Sequence, residues 1–331
     1  MMKNNELFNY INPKNNDILS KMNGKELQDL IFYLDTYYLE LRESLNLDKS
    51  VTFGIEIEYE NANKEKITKE LSNIKTFDWI TKADGSLRNG GEINSPVLTD
   101  VPNSWNDLKK ICLAIKKNAI IGPHSGGHIH IGTQVLGDNI ESWLNFIKLW
   151  SVYENIIFRF SYGEYLTARP SILKYAFPVS KYFWCDYKSL MEEKEIEVRD
   201  IIKRISYERH QAVNLYNAYD ASNINLNNTI EFRCPNGTLN PIIWQNNINF
   251  FVKLLLSSKN NEIDNDIINY RKNKLQDIKY NLYNEIYLSE ALEFCDMIFS
   301  NNLDKLYFLR QYLKSYENSD LDLVKAKKFT K

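Results

Sequence analysis

Polar and apolar residues alternate in four short stretches of the chain. The first is Gly54-Ile55-Glu56-Ile57-Glu58-Tyr59-Glu60 and the second Gly91-Glu92-Ile93-Asn94. The third is Gly127-His128-Ile129-His130-Ile131 and the fourth Ile230-Glu231-Phe232-Arg233. In a strand, residues i and i+2 point to one face. The pattern therefore predicts four strands that turn isoleucines and Phe232 toward a core. The opposite face carries Glu56 with Glu58, Glu92, His128 with His130, and Glu231 with Arg233.

The other elements follow from longer periods. Leu27, Leu30, Ile31, Leu34, Tyr38 and Leu41 predict an amphipathic helix over 25–46, after a turn at Asn23-Gly24. Strands are expected at 51–60, about 77–82 and 91–97, with the turn Asp84-Gly85-Ser86 between the last two. Asn103-Ser104 is read as the cap of a helix to about 119. Gly126-Gly127 leads into the histidine strand, and an aromatic helix is expected over 139–160. Residues 161–190, with Pro170, Pro178 and many aromatics, read as a loop-rich, substrate-facing segment. A charged helix is expected at 190–204, and strands near 211–216 and at 229–234. Pro241 suits the first turn of a helix to about 257. Further helices and a charged, frayed end are expected from 262 to 331. This order predicts an α+β core with helical additions at both ends.

Composition narrows the function classes. The chain has 331 residues, 44% hydrophobic and 25% charged, as in ordinary globular proteins. A net charge of -2 gives no reason to expect nucleic acid or an anionic membrane as partner. Cys112, Cys185, Cys234 and Cys295 form no CxxC pair, so neither a zinc ribbon nor a disulfide framework is indicated. The first 16 residues lack the apolar core of a signal peptide, and no run of 18 apolar residues predicts a transmembrane helix. A reducing cytoplasm is the expected setting.

The polar pairs carry the chemistry. Like charges on one strand face repel, so Glu56 and Glu58 need a counter-charge. A divalent cation supplies one, and carboxylate oxygens are the usual ligands of Mg²⁺ and Mn²⁺. Three of the four histidines fall at 124, 128 and 130, which favours function over a lone structural imidazole. One of the strand pair would ligate a metal and the other donate to phosphate or substrate. Glu231 beside Arg233 reads as a metal carboxylate next to a phosphate-binding guanidinium, rather than as a surface ion pair of little energy. Glu92 follows two glycines that allow close backbone approach. Asp84 more often only makes a turn, and Arg169 and Arg209, being isolated, are more often solvated. The stripe Trp143, Phe146, Trp150, Tyr153, Ile157 reads as core, and Cys234 as packing.

In order and spacing, GIEIE, DGS with GGEINSP, GGHIHIG and IEFRCPNGTLN resemble the amidoligases, relatives of glutamine synthetase and glutamate–cysteine ligase. The resemblance covers about residues 51–257. It implies an N-terminal helical extension (1–50), a catalytic core (51–258) and a C-terminal helical segment (259–331). The implied core is a curved, mainly antiparallel sheet of the glutamine synthetase/guanidino kinase type, with a metal and ATP site on its concave face. The implied activity is ATP-dependent ligation of a carboxylate to an amine through an acyl phosphate, forming an amide or peptide bond, of γ-glutamyl or isopeptide type among the options. The implied substrates are an amino acid, peptide or protein tail carrying the carboxylate, and an amine donor. The resemblance makes Glu56, Glu58, Glu92, His128 and Glu231 ligands of Mg²⁺ or Mn²⁺. Arg233, Arg209 and His130 would meet phosphate or substrate, and Asp84 is a candidate base. Two alternatives stay open: a zinc hydrolase built on His128 and His130, and a non-catalytic nucleotide-binding relative.

Overall fold

Six strands form one open sheet in the order β2-β3-β1-β4-β6-β5. They are β1 Phe53–Tyr59, β2 Ile80–Lys82, β3 Gly91–Asn94, β4 Gly127–Gly132, β5 Val213–Asn214 and β6 Thr229–Phe232, and every pairing within the sheet is antiparallel. The computed structural model describes residues 23–314 apart from 37–38, 75, 194, 219–227, 261–262, 264, 276–277, 279 and 281–282. Among the described residues the helices are α1 Gly24–Thr36, α2 Lys64–Leu71, α3 Pro102–Asn118, α4 Ile140–Ser161, α5 Ile172–Tyr175 and α6 Ser180–Glu192. They continue with α7 Val198–Ile205, α8 Pro241–Lys259, α9 Asn265–Leu275, α10 Leu288–Ile298 and α11 Asn302–Leu313. The protein is α+β, as the strand and helix order predicts. Among the described residues, no helix is long and apolar enough to cross a membrane.

Alternation decides which face is dry. Ile55, Ile57, Ile129, Ile131, Ile230 and Phe232 are all buried. Phe232 stacks on Phe251 of α8 with ring centroids 4.0 Å apart and on Trp150 of α4 at 5.9 Å. Phe53 stacks on Trp105 of α3 at 5.1 Å. Aromatic pairs of this kind contribute beyond their buried area. Leu30 of α1, Phe294 of α10 and Phe308 of α11 belong to the same contiguous apolar cluster.

Several boundaries differ from the sequence expectation, each for a physical reason. The first helix ends at Thr36 rather than 46, and Tyr38 lies outside the described residues. Beyond it, the backbone N–H groups of Leu45 and Leu47 and the hydroxyl of Ser44 donate to the Asp100 carboxylate. Those donors are therefore unavailable to a helix. Helix α3 starts at Pro102, whose fixed φ suits the first helical turn, and no side chain caps it. Ser104 lies inside that helix and is buried. The segment 161–190 is not mainly loop, because it holds α5 and α6. Helix α6 has no side-chain cap of its own; the Glu154 carboxylate on α4 accepts from the N–H groups of Val179 and Ser180 at 2.7 and 3.1 Å. The acceptor that caps this helix N-terminus thus comes from a distant residue. The helix expected over 190–204 begins only at Val198. The charged end of the tail lies outside the described residues.

The turn before β3 depends on glycine. A Cβ on Gly90 would lie 2.0 Å from the Tyr59 carbonyl oxygen and 2.9 Å from Leu87 Cβ. Backbone would have to move, and Glu92 with it. Gly90→Ala is expected to destabilise the protein by about 3 kcal/mol, at the upper end for overpacking, measured by thermal unfolding. An unchanged melting temperature would contradict this close approach.

Candidate metal and substrate site

The register lines up the polar pairs across four strands. Glu58 on β1 faces Glu92 on β3, and Glu56 faces Asn94 on one side and His128 of β4 on the other. His130 of β4 faces Glu231 of β6, which in turn faces Asn214 of β5. Arg233 follows directly after β6. The polar residues of the four alternating stretches therefore share one face.

Two ligand-like sets converge there. Glu56, His130 and Glu231 each bring a ligand atom within 4.8 Å of the others, and so do Glu58, Asp84 and Glu92. His128 lies between them. Its Nδ1 is 2.9 Å from Glu56 and 3.6 Å from Glu231, and its Nε2 is 3.5 Å from Glu58. This placement differs in detail from the sequence expectation. His130, expected at phosphate or substrate, joins a ligand set, and Asp84, expected as a turn or base, joins the other. His128, expected as a ligand, bridges the carboxylates. Glu60, the third alternating glutamate, stands apart and accepts from the backbone N–H of Arg88.

Surrounding groups hold the set in place. Asn94 Nδ2 donates to Glu56 at 3.1 Å, and Asn214 Nδ2 and Arg233 Nη1 donate to Glu231. Arg233 also donates through Nε to the Tyr175 carbonyl at 3.0 Å. The backbone N–H of Gly126 donates to Glu58. Arg169, expected to be solvated, is instead buried. Its guanidinium donates to the carbonyl oxygens of Arg233 and Pro235, the loop that leaves β6.

Two cavities open on this face. One of about 320 Å³ is lined by Glu58, Asp84, Glu92 and His128, faced by the guanidinium groups of Arg169, Arg209 and Arg233, with His124, Tyr175 and His210 beside them. The other, about 620 Å³, is lined by His130, Asn94, Ser95, Pro96, Val97, Tyr216 and Thr229, among others. Glu56 and Lys82 line both. Arg209 is exposed at the first cavity and touches neither ligand set. Tyr175 and Lys82 escaped the sequence reading because neither lies in an alternating pair, and His210 enters it only as a further histidine for a zinc set. Lys82 sits two residues before Asp84 on a predicted strand, and that position is the signal that was available.

The carboxylates on this face titrate differently according to their surroundings. Burial pushes the Glu92 carboxyl up, and the charge of Glu56 adds to it. Burial also acts on Glu56, yet hydrogen bonds and charge from His128 and His130 outweigh it and hold that carboxyl well below the usual range. Glu231 is likewise held low against burial, by His128, Arg233 and His130. His130 Nε2 is buried and lies 3.2 Å from Glu56 Oε1. A buried imidazole nitrogen among carboxylates suits coordination to a cation.

Glu92 gives a stability test. Its folded pKa lies above its unfolded value, so ionisation costs folding free energy at neutral pH. That cost is complete above the folded pKa and disappears below the unfolded one, near pH 4. Metal-free Glu92→Gln is therefore expected to melt roughly 2 °C higher than wild type at pH 7, with the gap closing toward pH 4. Mn²⁺ should then raise the melting temperature of wild type more than that of the variant. A lower metal-free melting temperature, with an undiminished Mn²⁺ effect, would contradict this placement.

A family model described as "putative amidoligase enzyme" matches residues 68–255, more than half of the chain. The match takes in Asp84, Glu92, His128, His130, Glu231 and Arg233, and begins after β1 with its two glutamates. No curated protein matches the chain. With more than half its length matched, the chain belongs to this amidoligase family.

Proposed function

We propose that the protein is an ATP-dependent carboxylate–amine ligase with a glutamine synthetase-like core. The observation that carries this reading is the pair of oxygen-rich ligand sets, Glu56–His130–Glu231 and Glu58–Asp84–Glu92, side by side on one sheet face. Five carboxylates and one imidazole suit Mg²⁺ or Mn²⁺. Neither set holds more than one histidine, so a zinc hydrolase, which favours nitrogen and sulfur ligands, fits the donors poorly. Bound at these sets, divalent cations would neutralise charge on the ATP phosphates.

The chain's own groups fit the remaining tasks. Arg233, fixed by Glu231 and the Tyr175 carbonyl, presents a guanidinium to the cavity where phosphoryl charge would develop. The larger cavity, with mixed polar and apolar walls, suits a nucleoside, and the smaller one, with Arg209 and Arg233 opposite the carboxylates, suits an acid. In the reaction, a carboxylate oxygen of the acid attacks the γ-phosphorus, and the bond to the β-bridging oxygen breaks, releasing ADP. The neutral amine then attacks the acyl carbon, phosphate leaves, and the nitrogen loses a proton. The acid is an amino acid, a peptide or a protein tail.

The test is ADP release across a panel of acids and amines. The expected result is release that needs Mg²⁺ or Mn²⁺, a carboxylate and an amine together, and that falls by roughly 10²–10³-fold in Glu58→Ala. Stoichiometric zinc with no ADP release, or nucleotide binding without turnover on any pair, would contradict it.

A further inference from the structure

Among the described residues, Lys82 is the one cationic side chain that lines both cavities. It closes the edge strand β2, in register with Glu92 of β3, which is in register with Glu58 of β1. Lys82, Glu92 and Glu58 thus lie in one row across the sheet. Together with Glu56, Lys82 lines both cavities. Its ammonium is 3.9 Å from Glu92 Oε1, too far for a hydrogen bond, and its side chain is 54% exposed. Such a pair contributes little to stability, so packing does not explain the position. A cation held by Glu58, Asp84 and Glu92 would engage the Glu92 carboxylate and leave the ammonium with three donors facing the cleft.

We propose that Lys82 is a catalytic residue that binds the γ-phosphoryl group as it crosses from the nucleotide cavity to the acid cavity. This rests on the ATP-dependent reading above. The ammonium donates to non-bridging γ-oxygens and keeps its protons throughout; the electron pair of the broken P–O bond leaves on ADP. A compact point charge on a flexible stem can follow a moving phosphoryl group, a task for which the fixed Arg233 fork is less suited.

Because Lys82 would touch only the γ-phosphoryl, it should separate ATP from ADP. The experiment measures binding of Mn²⁺, of Mn²⁺–ADP and of the Mn²⁺ complex of the β,γ-imido analogue of ATP, by calorimetry, for wild type, Lys82→Met and Lys82→Arg. Lys82→Met is expected to weaken the analogue by about tenfold or more, the loss of a charge-assisted hydrogen bond. Affinity for ADP and for Mn²⁺ alone should stay within about twofold, and Lys82→Arg should recover most of the loss, since it keeps the charge. Analogue binding by Lys82→Met equal to wild type would overturn the proposal and leave an exposed ion pair with Glu92. Equal weakening of ADP and analogue would overturn it too, in favour of a general field effect. If wild type binds neither nucleotide in the presence of Mn²⁺, the ATP-dependent reading itself fails, and the proposal with it.

Discussion

Glu56→Gln is expected to remove activity almost completely while leaving the fold intact. Glu56 occupies the centre of the polar face. It touches Asn94, His128 and His130, belongs to one ligand set and lines both cavities. Glutamine keeps the shape and loses the charge. With one of three ligands neutralised, Mn²⁺ affinity at that set should fall by well over tenfold, and turnover by roughly 10³-fold. Stability should move the other way from Glu92→Gln. The Glu56 carboxyl is held low in the folded protein, so it contributes stability above its unfolded pKa, lost as pH falls through the folded value. Metal-free Glu56→Gln should therefore melt below wild type at pH 7, with the two converging in strong acid. The opposite signs arise because burial, with the charge of Glu56, dominates at Glu92, whereas the two histidines outweigh burial at Glu56.

Arg169→Met should have the largest effect on stability. The guanidinium is buried, at 1% exposure, and holds the Arg233 and Pro235 carbonyls. A Cβ on Gly126 would lie 3.1 Å from that guanidinium and 3.2 Å from Glu58 Oε2, so the three groups meet with no spare room. Burial lowers the Arg169 pKa, the charge of Glu58 opposes this, and arginine starts high enough to stay protonated. Removing it strands the Arg233 carbonyl oxygen, leaves the Pro235 carbonyl with the Gly127 N–H alone, and takes a buried positive charge away from Glu58. The expected cost is about 3–5 kcal/mol, with weaker Mn²⁺ binding because Glu58 and the start of the Arg233 loop shift. Lysine should not rescue it, since an ammonium cannot reach both carbonyls with the same fork. Thermal unfolding and Mn²⁺ titration check both effects; a melting temperature near wild type would show that Arg169 holds nothing.

The strand alternation was the readable part of this chain. Period-2 patterns place Ile55, Ile129 and Phe232 under the sheet and Glu56, His128 and Glu231 over it, because a strand leaves a side chain no third direction. What was hidden depends on partners distant in sequence. Helix α6 is started by Glu154 from another helix, so no cap residue announces it, although Phe183, Trp184 and Leu190 keep helical spacing. Helix α2 buries only Ile67 and Leu71, too few to stand out among its charges. Arg169 carries no periodic signal, since its partners are backbone carbonyls more than sixty residues away. Asp84 read as a turn because its carboxylate does accept from the Ser86 N–H, and only the fold brings it to Glu58 and Glu92. The two histidines of β4 could be recognised as a pair, but their separate positions depend on how Glu231 and Glu56 approach them.

The most direct measurement is a crystal structure grown with Mn²⁺ and the β,γ-imido analogue of ATP, with manganese located by anomalous scattering. The account predicts manganese at Glu56–His130–Glu231 and at Glu58–Asp84–Glu92, with the γ-phosphoryl group between them and facing Arg233. A single metal held by His128 and His130 without the glutamates, or a nucleotide bound away from this face, would contradict it.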